Sequence, residues 1–304
     1  MPSLTWINGH LSAPGDARVS AFDAGLQHGV GLFETMLACG PDGRVFRIER
    51  HLARLERSAE ALGLTGALKV RALAEAVEHV VEQSELTGHD PARRARVRLT
   101  LTGGDLNLLS RPAPKPTDPT VMIHVQPATE YSPLMFEQGV GAVVADAKAN
   151  PLSEHEGHKT LNYWWRLRAL QQAALAGAGE AIVLQVTNHI AGGAVSNLFC
   201  VRDGLLLTPV ARGEEAHGAV ASPVLPGVTR EAVLEAAAAK RINASRRLLT
   251  VSDALDADEV FLTNSSWGVL PVVRIEKKTI GPGEPGPITR ALRQAWLDMV
   301  RDEA

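Results

Sequence analysis

The chain has 304 residues, 45% of them hydrophobic and 21% charged, an ordinary soluble composition with material for one large or two medium domains. A net charge of −3 without a long basic run leaves no electrostatic footprint for nucleic acid or an anionic membrane surface, and no stretch approaches the roughly 20 apolar residues that span a bilayer. Cys39 and Cys200 are too few for a disulfide framework and too far apart for a CxxC motif, and the opening MPSLTWINGH lacks the basic start and apolar run of a secretory signal; both point to reduced thiols and a cytoplasmic protein.

The first strand is expected near Leu4 to Asn8, followed by a Gly-, Pro- and Asp-rich loop and a mixed segment from Gly25 to Leu37. In RIERHLARLERSAEALGL the apolar residues Ile48, Leu52, Leu55, Ala59 and Leu62 recur at helical spacing, and Gly63 stands where a C-terminal glycine cap belongs. A second helix is expected over 70–87, with Leu73, Val77, Val80 and Val81 on one stripe. From Arg94 to Thr102 the pattern becomes strict alternation: Ala95, Val97, Leu99 and Leu101 on one face, Arg94, Arg96, Arg98 and Thr100 on the other. A strand from Thr120 closes this region.

The second half reads as strand Val140 to Ala145, helix Leu161 to Ala176, and strands Ala181 to Val186, Leu198 to Val201 and Leu205 to Thr208. A helix from Thr229 to Arg241, strands at Glu259 to Thr263 and Val269 to Ile275, and a helix from Pro287 to Val300 follow. Helices and strands do not alternate regularly, which favours an α+β fold in two domains over one doubly wound sheet. The expected boundaries are 1–126 for a smaller N-terminal domain, 127–133 for a linker containing Pro and Ser, and 134–304 for a larger C-terminal domain.

Chemistry is carried by a few segments. A lysine that forms a Schiff base must be largely buried, so that its amine sheds a proton and attacks an aldehyde. Lys159, in Gly157-His158-Lys159-Thr160-Leu161-Asn162, precedes an apolar helical pattern and is the candidate; taken alone, it reads as a solvated residue at a helix start. Leu225-Pro226-Gly227-Val228-Thr229-Arg230 leads into a strong helix, whose free N–H groups and positive dipole end suit a phosphate. The turn Thr263-Asn264-Ser265-Ser266 offers amides and hydroxyls to the same kind of ligand. His155-Glu156-Gly157-His158 falls one residue short of the HExxH spacing that places two histidines on one helix face, so no metal is expected. Arg94, Arg96 and Arg98 are either a solvated strand face or a carboxylate clamp.

Taken together, these segments resemble the class IV (fold type IV) family of aminotransferases and lyases that use pyridoxal 5′-phosphate (PLP). The likeness also runs through Trp6-Ile7-Asn8-Gly9, Gly31-Leu32-Phe33-Glu34-Thr35-Met36, His51-Leu52-Ala53-Arg54-Leu55, Ser196-Asn197-Leu198-Phe199, Asp258 to Ser265 and Gly286-Pro287-Ile288-Thr289. It implies a two-domain, D-amino-acid-aminotransferase-like fold and a homodimer acting on a small amino acid or amino-chorismate-type substrate. Lys159 would be the catalytic residue that bonds PLP; Arg54, Val228, Thr229, Asn264 and Ser265 would hold the phosphate, and Leu225 would pack on the ring. Without the resemblance, Arg54 is one more member of the charged helix face formed by Arg47, Arg50 and Arg57. Lys159-Thr160-Leu161-Asn162 and Thr263-Asn264-Ser265 resemble aminodeoxychorismate lyases and D-amino-acid aminotransferases more than branched-chain enzymes.

One position departs from the family. A glutamate five residues before Asn197 would keep the pyridine nitrogen protonated, and this chain has Gly192 there, with no acid between Thr187 and Asn197. Either another group substitutes, or the reaction is less demanding, or the protein is a catalytically degenerate member with a binding or regulatory role. Thr102-Gly103-Gly104 likewise replaces an arginine-containing segment of relatives.

Overall fold

A computed structural model describes residues 3–65, 68–90, 93–105 and 119–303. The chain forms two compact units, one made of Met1–Thr129, His158–Asn162 and Val300–Ala304, the other of Glu130–Gly157 and Tyr163–Met299. Among the described residues, no helix is long and apolar enough to cross a membrane.

The first unit runs β1 (Leu4–Ile7), β2 (His10–Ser12), α1 (Ala24–His28), β3 (Gly31–Cys39), β4 (Arg44–Val45), α2 (Ile48–Ala61), α3 (Val70–Ser84), β5 (Ala95–Thr102) and β6 (Val121–Pro127). Its six strands form an antiparallel sheet in the order β2-β1-β6-β5-β3-β4. The pleat of β5 decides which face is core: Ala95, Val97, Leu99 and Leu101 are wholly buried and meet the apolar stripes of α2 and α3, including Leu52, Leu55, Val77, Val80 and Val81. Gly63 takes the left-handed conformation just beyond α2, as its place in the sequence predicts.

The second unit runs α4 (Leu134–Glu137), β7 (Val140–Ala149), α5 (Trp164–Leu175), β8 (Glu180–Gln185), β9 (Ile190–Gly193), β10 (Asn197–Arg202), β11 (Leu205–Thr208), α6 (Val228–Ala239), β12 (Ala244–Arg246), α7 (Val251–Leu255), β13 (Glu259–Asn264), β14 (Gly268–Ile275), β15 (Lys278–Thr279) and α8 (Pro287–Glu303), whose last turn joins the first unit. Its nine-stranded mixed sheet has the order β12-β11-β10-β13-β14-β7-β8-β9, with β15 on β14. One face carries Ile182, Ile190, Leu198, Val260, Leu262 and Leu270; the other packs α5 through Ala169 and Ala173 onto Ala145, Ala181 and Val183.

The structure is α+β, as expected, and differs from the sequence reading in detail. The helix expected from Leu161 starts at Trp164, because Leu161 is drawn into strand-like pairing: its N–H donates to the Gly31 carbonyl at 2.9 Å, and Phe33 N–H donates to the Lys159 carbonyl at 2.8 Å. Strand β9 and helix α7 are additions. The latter has only five residues, and a reciprocal cap between Thr250 and Asp253 fixes its start. In the second core Phe199 and Phe261 stack with centroids 4.9 Å apart, both fully buried. Phe261→Ala therefore lowers the unfolding free energy by about 3–5 kcal/mol, read as an earlier urea midpoint at an unchanged slope.

Candidate active site

Two groups of candidate residues stand out, one in each unit. In the first, α2 turns His51, Arg54 and Ser58 inward at positions that helical periodicity gives to the core; all three are buried. Glu34, on the apolar strand β3, is 1% exposed and faces them. Arg54 grips its carboxylate with two N–H groups, Nε to Oε1 at 2.9 Å and Nη2 to Oε2 at 2.6 Å, while His51 Nδ1 lies 2.8 Å from Oε2. Burial alone would raise the Glu34 pKa, yet the Arg54 charge and the His51 hydrogen bond together bring it down to about 2. Burial, helped by the charges of Arg54 and Lys159, holds His51 below its ordinary value against the pull of Glu34. His51 is therefore a neutral imidazole, and since an ionised carboxylate only accepts, Nδ1 carries the proton.

Lys159 belongs to this first group. Its backbone pairs with β3, and its half-buried amine stands 4.2 Å from the centre of the Phe33 ring; the Arg98 guanidinium lies 3.8 Å from the same centre. His158 Nδ1 is 2.9 Å from Ser58 Oγ, which ties the residue before the lysine to α2. Gly31 permits the approach, since a Cβ there would come within 2.6 Å of the Leu101 carbonyl and 2.7 Å of Leu161. Arg54 thus leaves the solvated face on which composition alone would put it, and Arg98 leaves the row of surface arginines.

The second unit gathers Leu225, Val228, Thr229, Asn264 and Ser265 around the start of β10. Helix α6 opens at Gly227 with no side-chain cap over its first N–H groups, and Val228 and Thr229 are buried there. Asn197 donates from Nδ2 to the Leu225 carbonyl at 2.8 Å, and its Oδ1 fills the space that a Cβ on Gly227 would need. Thr263 pairs with Asn197 across the sheet, and its buried hydroxyl has no hydrogen-bond partner among the described residues. Amides without a side-chain cap and, on the strand paired with Asn197, a buried hydroxyl without a partner among the described residues are each groups that suit an anion such as phosphate. The Asn264 side chain shapes the turn: its Oδ1 accepts from Ser266 N and Trp267 N, and its Nδ2 donates to the Val195 carbonyl.

Gly192 has φ +132°, and a Cβ there would sit 2.7 Å from the Ser196 carbonyl oxygen. Its neighbours shift register against β8: Val183 faces Gly192 while Leu184 faces Ile190, which leaves Ala191 as an extra residue. Backbone geometry thus demands glycine at the position where the resemblance leads one to expect an acid.

The profile of the amino-transferase class IV family matches residues 31–275. The chain belongs to that family. Across 97% of its length and 95% of the relative's, it is 31% identical to a putative branched-chain-amino-acid aminotransferase of Methanocaldococcus jannaschii. Among solved structures, a T.th. branched-chain amino acid aminotransferase with pyridoxamine 5′-phosphate superposes with a TM-score of 0.86 at 26% identity, covering 100% of this chain and 96% of that one. The 4-amino-4-deoxychorismate lyase of Pseudomonas aeruginosa gives a TM-score of 0.80 at 28% identity, with 98% of each chain covered. Class IV members use PLP, and this chain is one of these PLP-dependent aminotransferases or lyases. Both of the names that the short motifs divided, branched-chain transaminase and lyase, occur among its relatives.

Among the polar residues of the two groups, the sequence assigns no role to Glu34, His51 and Ser58 in the first unit or to Asn197 and Glu180 in the second. The signal for the first three was present: a carboxylate inside an apolar strand, and polar residues on core positions of a helix.

Two outcomes follow from the geometry. Because the folded pKa of Glu34 is depressed from 4.5 to about 2, its stabilisation is complete above pH 4.5 and is lost as the pH falls through about 2. Glu34→Gln, which leaves Arg54 buried beside a neutral amide, should cost about 3–5 kcal/mol at pH 7, and chemical denaturation should show the gap to wild type narrowing below pH 4.5. Gly192→Glu should lower the melting temperature, by a strain on the order of 1–3 kcal/mol, without raising turnover; a faster variant with unchanged melting would show that the missing acid, and not the backbone, is what matters at 192.

Proposed function

We propose that the chain is a cytoplasmic, homodimeric PLP enzyme in which Lys159 bonds the cofactor and moves the substrate proton. The substrate would be a small amino acid or an amino-chorismate-type molecule. The observation that carries this reading is the setting of Lys159: a half-buried amine on the Phe33 ring, beside a buried Glu34–Arg54–His51 group and tied to α2 through His158 and Ser58. PLP, when bound, supplies an electron sink for the bond broken at the substrate Cα.

Each side chain then has a task its position suits. Lys159 Nζ takes and returns the proton at Cα, general-base work for an amine kept from bulk water. Arg54, held by Glu34, would donate to the cofactor phosphate, together with the first amides of α6, the Thr229 hydroxyl and Ser265. Leu225 would press on the ring. Arg98, stacked on the same aromatic ring as the lysine, is a cation suited to a substrate carboxylate. Two buried free thiols suit a reducing compartment, and Phe22 and Leu26, each 68% exposed on and beside α1, supply apolar surface for a second subunit.

Borohydride reduction of the PLP-loaded protein, followed by peptide mass analysis, tests the assignment. The expected result is a pyridoxyl adduct on Lys159, and a Lys159→Ala protein that keeps its circular dichroism and melting temperature but shows neither adduct nor turnover. An adduct on another lysine, or activity surviving in Lys159→Ala, would remove Lys159 from the mechanism.

A further inference from the structure

Glu180 opens β8, is wholly buried, and among the described residues is met only by neutral donors in its hydrogen bonds. Ala181 N–H donates to Oε1 at 2.9 Å; Ser196 Oγ, at 2.9 Å, and Val195 N–H, at 3.3 Å, donate to Oε2. Burial raises its pKa, and these donors, with the Ala194 amide, pull it back. A carboxylate is costly to bury without a cation, so its place calls for a reason. The fit around it is close: a Cβ on Gly193 would collide with Ser196 Oγ and come within 2.9 Å of Glu180 Oε2.

The segment that Glu180 holds connects the two turns of the second unit. The Val195 carbonyl receives Asn264 Nδ2 at 3.3 Å, which fastens the Thr263–Ser265 turn. Two residues on, Asn197 Nδ2 holds the Leu225 carbonyl at 2.8 Å and its Oδ1 fills the space beside Gly227, which fastens the entry to α6. The turns are far apart in sequence, and residues 195–197 touch both.

We propose that Glu180 is a positioning residue for phosphate binding: by gathering the Val195 amide and the Ser196 hydroxyl it fixes residues 194–197, and these set the spacing between the Leu225–Thr229 and Thr263–Ser265 turns. The proposal rests on the reading of those turns as the phosphate site. Donors aimed at a small anion must hold their places to within about 0.5 Å, and a buried carboxylate that binds several donors at once restrains a loop more tightly than apolar contact. Glu180→Gln keeps the shape but turns an NH2 group toward donors, leaving at least one of them unmatched.

The test compares PLP with pyridoxal, which lacks the phosphate, in titrations of the full-length protein freed of cofactor. For Glu180→Gln the PLP Kd should rise about tenfold or more, with a smaller rise for Ser196→Ala, while the pyridoxal Kd stays within about twofold of wild type. Unchanged PLP affinity in a folded Glu180→Gln protein, or equal loss for PLP and pyridoxal, would overturn the proposal, since a residue that merely stabilises the unit would not single out the phosphate. If Glu180→Gln does not fold, Ser196→Ala decides on the same comparison. A wild-type protein that binds pyridoxal as tightly as PLP would instead overturn the reading of the two turns as a phosphate site, and the proposal with it.

Discussion

The first unit depends on the bidentate contact between Arg54 and Glu34. A guanidinium buried in the middle of a helix would be untenable without a counter-charge, and Glu34 supplies one from a strand that is otherwise apolar. His51 completes the arrangement as a neutral donor to the same carboxylate. The pairing has an electrostatic consequence for ligand binding. Arg54 and Glu34 together carry no net charge, so Arg54 acts toward an anion as an oriented set of N–H groups and not as a free cation.

Each unit contains a deeply buried acid among its polar residues, Glu34 in the first and Glu180 in the second, and the two solve the same problem differently. Glu34 is neutralised by an adjacent cation and its pKa falls; Glu180 among the described residues receives amide and hydroxyl donors, and its pKa rises. The first arrangement fixes a charged side chain on a helix. The second fixes the backbone of a loop, because its donors are mainly main-chain N–H groups. A cation beside Glu180 would satisfy the charge with one partner and leave those amides without an acceptor, which explains why a costly bare carboxylate suits the position.

Much of the fold was legible because long elements impose long patterns. The stripes of α2 and α3 and the alternation of β5 are long, and nearly all their apolar residues are buried, joined by polar ones such as His51, Arg54, Ser58 and Ser84. Short elements were not legible. Strand β9 is Ile-Ala-Gly-Gly, with neither β-branched density nor alternation, and is a strand only because β8 pairs with it. Helix α5 was placed too early because Leu161 has a helical neighbourhood in sequence but a strand partner in space. Lys159 stands out in the sequence only through its companions, since alone it is an ordinary helix-start lysine; what the sequence does not show is its amine set against the Phe33 ring. The turn-shaping part of the Asn264 side chain was not legible, because it depends on bonds to Ser266, Trp267 and Val195 that only the fold brings together. Glu180 gave no warning, since one acid at the start of an apolar strand usually faces solvent.

Gly192 shows how a single substitution can stand for a larger change. The extra residue at Ala191 shifts the register of β9 against β8, and the positive φ of Gly192 belongs to that shift. A bulge redirects the side chains that follow it, so an acid grafted at 192 would inherit a direction set by the bulge as well as a contact with the Ser196 carbonyl. The absent carboxylate and the bulge are one structural feature. That feature also places Gly193 where it has no room for a side chain, against Ser196 and Glu180, so the glycine pair serves two constraints at once: the first residue turns the backbone, and the second lets the loop close over the buried acid. Polar chemistry in this segment is accordingly carried by the side chains of Ser196 and Asn197 and by Glu180 on the neighbouring strand, and the strand β9 itself contributes only its backbone.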